Sequence, residues 1–302
     1  MMKRMQCSPM GEDLWRQISA QNTFCLSCNA CRADCAVHSA TGRLQPLKLV
    51  RLANLGLIDE LLLQPETWYC LQCNHCSSVC PMEIKPAALI RQLRQEALTR
   101  GVVGLERLSQ YEALCARFHR ARWHMAARAR QVQDPAAFAE KWQEWADQPI
   151  ERSTATIAAG PDAARRAQQL CEAAEEGLSA GLSACMTCRE CTTACPLADD
   201  PALFDPARLL RMAHLGLDDE LLGSPAIWLC LGCQRCSQAC TQNIKGHRVI
   251  QKLQRLAIER DLTPGDMHER LWEYERALYP RFLRAVDVLF GFINGSGVIG
   301  RQ

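Results

Sequence analysis

The chain has 302 residues, with 35 basic and 33 acidic side chains and a formal net charge of +2. This length allows two compact domains, and the even charge balance gives no electrostatic reason to expect a nucleic-acid partner. It also carries 19 cysteines. The opening stretch MMKRMQCSPMGEDLW has no apolar signal segment, so we expect a reducing, cytoplasmic compartment in which clustered cysteines hold metal rather than disulfides.

In chain order, a short helical stretch EDLWRQI (12–18) precedes a first cysteine run, Cys25, Cys28, Cys31 and Cys35. Apolar spacing over 46–62 predicts a short helix reaching Leu55 and capped by Gly56, then a second turn or helix at 57–63. Trp68 stands two residues before the second run, Cys70, Cys73, Cys76 and Cys80. The segment 86–101 starts on Pro86 and ends on Gly101, a helix signature. Residues 104–131 and 135–147 read as a helical linker, and STATIAAGP (153–161) as its flexible joint. A helix over 162–178 leads to the third run, Cys185, Cys188, Cys191 and Cys195, and then to the fourth, Cys230, Cys233, Cys236 and Cys240. A helix at 247–260 follows, then an apolar tail, 282–300, interrupted by Arg284 and Asp287 and too short to span a bilayer.

Adding 160 to each cysteine of the first two runs gives the last two runs without a gap. The intervening RLANLGLIDELL (51–62) and RMAHLGLDDELL (211–222) agree at nine of twelve positions, and Trp68 recurs as Trp228. The chain thus reads as a tandem duplication. Strand signals are weak, so the expected class is all-α: two tandem helical modules joined by a helical linker. The expected divisions are a first module at 1–103, a linker at 104–161, a second module at 162–262 and a partner-docking tail at 263–302.

Three cysteines, each separated by two residues, wrap one 4Fe–4S cube, and a fourth, after three intervening residues, points away toward the other cluster of the pair, as in two-cluster ferredoxins. This predicts four 4Fe–4S clusters. Cys25, Cys28 and Cys31 take Cys80, and Cys70, Cys73 and Cys76 take Cys35. Cys185, Cys188 and Cys191 take Cys240, and Cys230, Cys233 and Cys236 take Cys195. Structural zinc prefers paired knuckles, often with histidine, and fits this pattern badly. Proline follows the fourth cysteine at Pro81 and Pro196 but is replaced by Ala36 and Thr241 in the other two runs.

Cys7, Cys115 and Cys171 lack ligand spacing, and the latter two read as packing residues. Trp68 and Trp228 are expected to pack the core and keep water off a cluster. Arg117, Arg120, Arg122, Arg128 and Arg130 read as a solvated or partner-docking helix face, or as balance for cluster charge, rather than an RNA site. His38, His75, His214 and His247 fall near the runs and read as ordinary satisfied or solvent-facing histidines. No Gly-rich dinucleotide fingerprint or nucleophile elbow suggests catalysis by the chain alone.

The two-run spacing, with a segment like RLANLGLIDELL before W-x-C-x-x-C, resembles the C-type iron–sulfur component of heterodisulfide reductase, within the wider helical ferredoxin class. The resemblance covers 20–100 and 180–260. It implies an electron-relay component of an oxidoreductase complex, between an A-like flavin and iron–sulfur subunit and a B-like catalytic subunit with CCG motifs. This chain contains no CC dipeptide, so it resembles the wire and not the disulfide-reducing site. The alternative is the iron–sulfur subunit of a quinone-linked complex, peripheral at the inner face of a membrane and docked on a membrane subunit through its tail.

Overall fold

The computed structural model describes residues 24–131, 134–150, 161–178, 180–198, 200 and 202–292. The expected helix at 12–18, Cys7 and nearly all of the 153–161 joint lie outside the described residues. Every regular element among the described residues is helical, and none is a strand.

The duplication repeats element by element. Ala30–Ala33, Pro46–Asn54, Ile58–Leu63, His75–Ser78 and Pro86–Thr99 recur as Glu190–Thr193, Pro206–His214, Asp218–Leu222, Arg235–Ala239 and Gly246–Glu259. The turn carrying Trp68, Glu66–Tyr69, recurs as the 3-10 turn Pro225–Leu229. Proline opens both Pro46–Asn54 and Pro206–His214, where its missing N–H is harmless. Both end at a left-handed glycine, Gly56 (φ 72°) and Gly216 (φ 68°). Ala36–Thr41, closed by the left-handed Gly42, has no helical counterpart among the described residues. After Cys195 the chain turns at Pro196–Ala198 instead.

The repeat runs further than the sequence reading placed it. After each module's last helix comes a helix of 24 residues, Leu105–Arg128 and Met267–Phe290. RFHRA (117–121) and RFLRA (281–285) mark the correspondence, at an offset of 164 rather than 160. The stretches read as linker and tail therefore carry one duplicated element.

The chain divides into two compact units, 1–111 with 282–302, and 112–281. In the first, Trp68 is fully buried, stacked on Phe290 at 4.5 Å and edge-on to Tyr111 at 5.3 Å. Tyr111 Oη donates to the Trp68 carbonyl at 2.9 Å. Phe282, Leu283, Val286, Phe290 and Phe292 are all buried, so this part of the expected docking tail spends its apolar side chains on packing within its own chain.

In the second unit the arginines expected to be solvated are committed. Arg117 pairs with Asp147 at 2.7 Å, and Arg122 with Glu275 at 2.7 Å. Arg120 lies 3.8 Å from Asp200 and donates to the Gln148 carbonyl. Arg128 lies over the Trp145 ring at 3.7 Å, and Arg130 donates to the carbonyls of Leu222 and Gly223. The guanidiniums fasten this helix to surrounding segments, while the side chains of Arg117 and Arg120 remain 41% and 34% exposed.

Candidate metal centres

All four runs adopt one backbone form. The second residue after the first cysteine and the first after the second cysteine are left-handed: Ser27 and Asn29, Gln72 and Asn74, Thr187 and Arg189, Gly232 and Gln234. Side chains other than glycine rarely accept positive φ, so this conformation at matching places in each run, with glycine only at Gly232, marks a loop held in shape by its surroundings. Such alternation turns successive N–H groups to one side, the geometry of an anion nest. The Gln72 N–H lies 3.3 Å from Cys70 Sγ, and the Gly232 N–H bonds Cys230 likewise. A thiolate-bound iron–sulfur cube is an anion that such donors suit.

The short helices within paired runs pack on each other, Ala30–Ala33 with His75–Ser78 and Glu190–Thr193 with Arg235–Ala239. That contact brings cysteines from different runs together. Cys25, Cys28, Cys31 and Cys80 line one pocket, walled by Leu47, Val50 and Ile84. Cys76 feels the charges of Cys70, Cys73 and Cys35, and Cys195 those of Cys233, Cys230 and Cys236. Cys191 feels the charge of Cys236 of the next run.

Burial pushes the Cys35 and Cys191 thiols up to about 11, and those of Cys195 and Cys230 up to about 12. Bare thiols packed this closely stay protonated at neutral pH, whereas a coordinating metal deprotonates them outright. Among the described residues, no three His, Cys, Asp or Glu side chains converge closely enough to hold a single metal ion. Tetrahedral zinc, with sulfur at about 2.3 Å, would need its thiolates within about 4 Å of one another, while a cube spreads them over separate corners. An all-cysteine donor set in anion-nest loops fits a cube.

Matched supports fix the runs. Ser77 Oγ accepts from the Ala87 N–H, and Ser237 Oγ from the His247 N–H, each at 3.3 Å. Arg94 donates to the carbonyls of Thr67 and Cys70 at 2.9 and 2.6 Å. Its counterpart Gln254 donates to the Ile227 carbonyl at 2.7 Å. Asp205 caps Pro206–His214 through the Ala207 N–H and accepts from Thr192 and Arg189 of the third run. Of the histidines, His38 Nδ1 lies 3.0 Å from the Leu44 carbonyl and His75 Nδ1 3.8 Å from Asp34. His247 Nδ1 lies 2.5 Å from Ser237 Oγ. Cys171 Sγ donates to the Ala213 carbonyl, a packing role. Sequence reasoning missed Arg94, Asp205 and the serines, whose only signal was their distance from a run rather than any motif.

Comparison with known proteins gives the class first: residues 24–85 and 181–244 each match a 4Fe-4S dicluster domain. Two such domains in tandem imply four 4Fe–4S clusters. The particular likeness is to the C-type component of heterodisulfide reductases. The chain is 33% identical over 99 residues to a protein of Archaeoglobus profundus named as like the heterodisulfide reductase C subunit, covering 32% of this chain and 52% of that protein. It is 33% identical over 85 residues to the second iron-sulfur C subunit of the CoB--CoM heterodisulfide reductase of Methanocaldococcus jannaschii, covering 28% and 45%. The match to the C subunit of the H(2):CoB-CoM heterodisulfide,ferredoxin reductase of Methanothermobacter thermautotrophicus is 33% over 64 residues, covering 21% and 34%. The chain therefore spans between a third and about half of the length of these relatives. No solved structure matches.

Proposed function

We propose that this chain is an electron-relay subunit of a heterodisulfide-reductase-like complex, carrying four 4Fe–4S clusters between an A-like flavin subunit and a B-like catalytic subunit. The observation that carries the reading is the same left-handed cysteine loop at all four runs, paired within each module. The names of the similar proteins support the complex type. Cys25, Cys28, Cys31 and Cys80 would hold the first cube, and Cys70, Cys73, Cys76 and Cys35 the second. Cys185, Cys188, Cys191 and Cys240 would hold the third, and Cys230, Cys233, Cys236 and Cys195 the fourth.

The cubes, when bound, supply one-electron chemistry. The protein supplies thiolates, N–H donors and a dry surround. Trp68 and Trp228, at 0% and 4% exposure, keep water from the approach to Cys70 and Cys230. Iron and acid-labile sulfide analysis tests the reading, together with dithionite reduction followed by electron paramagnetic resonance. Four reducible cubes per chain are expected; well under four would overturn it.

The quinone-linked alternative gains less support. Among the described residues no helix is long and apolar enough to cross a membrane, and within 282–292 Phe282, Leu283, Val286, Phe290 and Phe292 are buried in the first unit, while Leu289 is half-buried and Val288 exposed. Membrane fractionation with and without residues 281–302 separates the two.

A further inference from the structure

Arg94, on the helix Pro86–Thr99, hydrogen-bonds one of the expected ligand residues directly. Its Nη2 donates to the Cys70 carbonyl at 2.6 Å, and its Nε donates to the Thr67 carbonyl at 2.9 Å. The guanidinium lies over two rings of the same unit, 5.6 Å from the centroid of Trp68 and 5.1 Å from that of Tyr111. Both rings are buried, so they keep water from that side of the charge. Among the described residues its hydrogen bonds run to carbonyls, which carry no net charge to cancel its own.

The repeat separates two roles of this side chain. At the 160 offset position 94 becomes Gln254, whose Nε2 donates to the Ile227 carbonyl at 2.7 Å. Ile227 is the counterpart of Thr67, so both modules tie this helix to the turn before the second run. A neutral amide suffices for that tie. Arg94 adds a second bond, to the Cys70 carbonyl, and a permanent positive charge. The carbonyl and Sγ of Cys70 belong to one residue, so the charge stands within a residue's span of the sulfur read as an iron ligand. The ligand loops of the two modules share one backbone form, yet the side chain at this place differs in charge.

We propose that Arg94 is a redox-positioning residue: its charge, held on the Cys70 carbonyl, raises the reduction potential of the cluster read at Cys70, Cys73, Cys76 and Cys35, and Gln254 withholds that contribution from the matching cluster of the second module. This rests on the four-cluster reading above. One-electron reduction makes a cube and its thiolates more negative, so a fixed cation beside them in a dry surround favours the reduced form.

The test is a redox titration of the holoprotein by electron paramagnetic resonance, with iron and sulfide counted on every sample. The cluster in question is the signal absent from Cys73→Ala. Arg94→Gln installs the side chain that serves the second module, and it is expected to move that midpoint to more negative values while the other three stay in place. Arg94→Lys keeps the charge and is expected to stay near the parent; a fall as large as that of Arg94→Gln would overturn the charge as the cause. Gln254→Arg is expected to move the signal absent from Cys233→Ala to less negative values. This variant decides the matter if Arg94→Gln loses its cube, and an unchanged midpoint in it would then overturn the proposal. An unchanged midpoint in Arg94→Gln holding four cubes would overturn the inference alone. A parent protein without four cubes would overturn the relay reading beneath it.

Discussion

Arg43 and Asp287 form a two-pronged ion pair across 244 residues of sequence, with Nη1 2.7 Å from Oδ2 and Nη2 2.9 Å from Oδ1. Tyr69, the residue before Cys70, hydrogen-bonds the same carboxylate and lies under the guanidinium at 4.5 Å. Asp287 holds the Tyr69 hydroxyl protonated, because burial and the adjacent negative charge both raise its pKa. The second module has Leu203 and Leu229 at the matching positions, so this polar latch belongs to the first unit only.

Asp287→Asn should loosen the last turns of Met267–Phe290 from the first module. Arg43 is about a third exposed on its side chain, so solvent screens the pair and the loss should be modest, about 1–2 kcal/mol. A double-mutant cycle with Arg43→Met in chemical denaturation measures the coupling. Simple additivity would show that the pair contributes nothing.

Crossed ligation predicts a pattern of cluster loss that sequence neighbours would not. Cys25→Ser with Cys80→Ser removes two ligands of one cube, so the pair should cost no more iron than either alone. Cys25→Ser with Cys35→Ser should cost twice as much, although Cys35 lies nearer in the chain. Iron content of the purified variants decides, and the reverse ordering would assign each fourth cysteine to its own run.

His119 predicts acid sensitivity that does not come from the clusters. Burial, reinforced by Arg122, drops its pKa to about 3 from an ordinary 6.5. Between those values the unfolded chain binds a proton that the folded chain refuses. Stability therefore falls as pH drops through 6.5 toward 3, by up to about 1.4 kcal/mol per pH unit. Denaturation midpoints at pH 7 and pH 5 should differ less in His119→Gln than in the parent. An equal difference in both would show that His119 is not the source.

The ligand runs were legible because cluster chemistry is local: spacing two, then three, within one loop. The helices from Pro46 and Pro86 were legible through their proline starts and glycine ends. The repeated 24-residue helix was not, because its offset shifts from 160 to 164 and only RFHRA against RFLRA keeps the likeness. The arginines at 117–130 looked solvated for a related reason. Asp147, Asp200 and Glu275 lie far along the chain, and no window of sequence places them opposite Arg117, Arg120 and Arg122.

The two capping glycines should respond differently to the same change. Both have φ near 70°, so Gly56→Ala and Gly216→Ala share a left-handed strain of about 1–2 kcal/mol. A Cβ on Gly56 would meet nothing within 4 Å, while one on Gly216 would lie 2.5 Å from the backbone of Ala167. Gly216→Ala should therefore cost clearly more, because backbone cannot yield as a side chain does. Equal losses in thermal denaturation would mean that Pro161–Glu175 does not pack against Gly216.

Thr241 stands where Pro81 stands in the first module, yet the backbone makes the same turn at both. The Glu83 N–H bonds the Cys80 carbonyl and the Asn243 N–H bonds the Cys240 carbonyl, each at 3.1 Å, and Glu83 and Asn243 are both left-handed. The turn is thus set by the hydrogen bond and the residue three places on, and proline only stiffens it. Thr241→Pro should keep the parent's iron content and gain slightly in stability, about 0.4–1 kcal/mol, through a less free unfolded chain. Glu83→Pro forbids the positive φ and removes the bonding N–H, so it should cost the cube that Cys80 serves. Iron analysis of the two variants side by side measures this, and loss of iron from Thr241→Pro would show that the two turns differ.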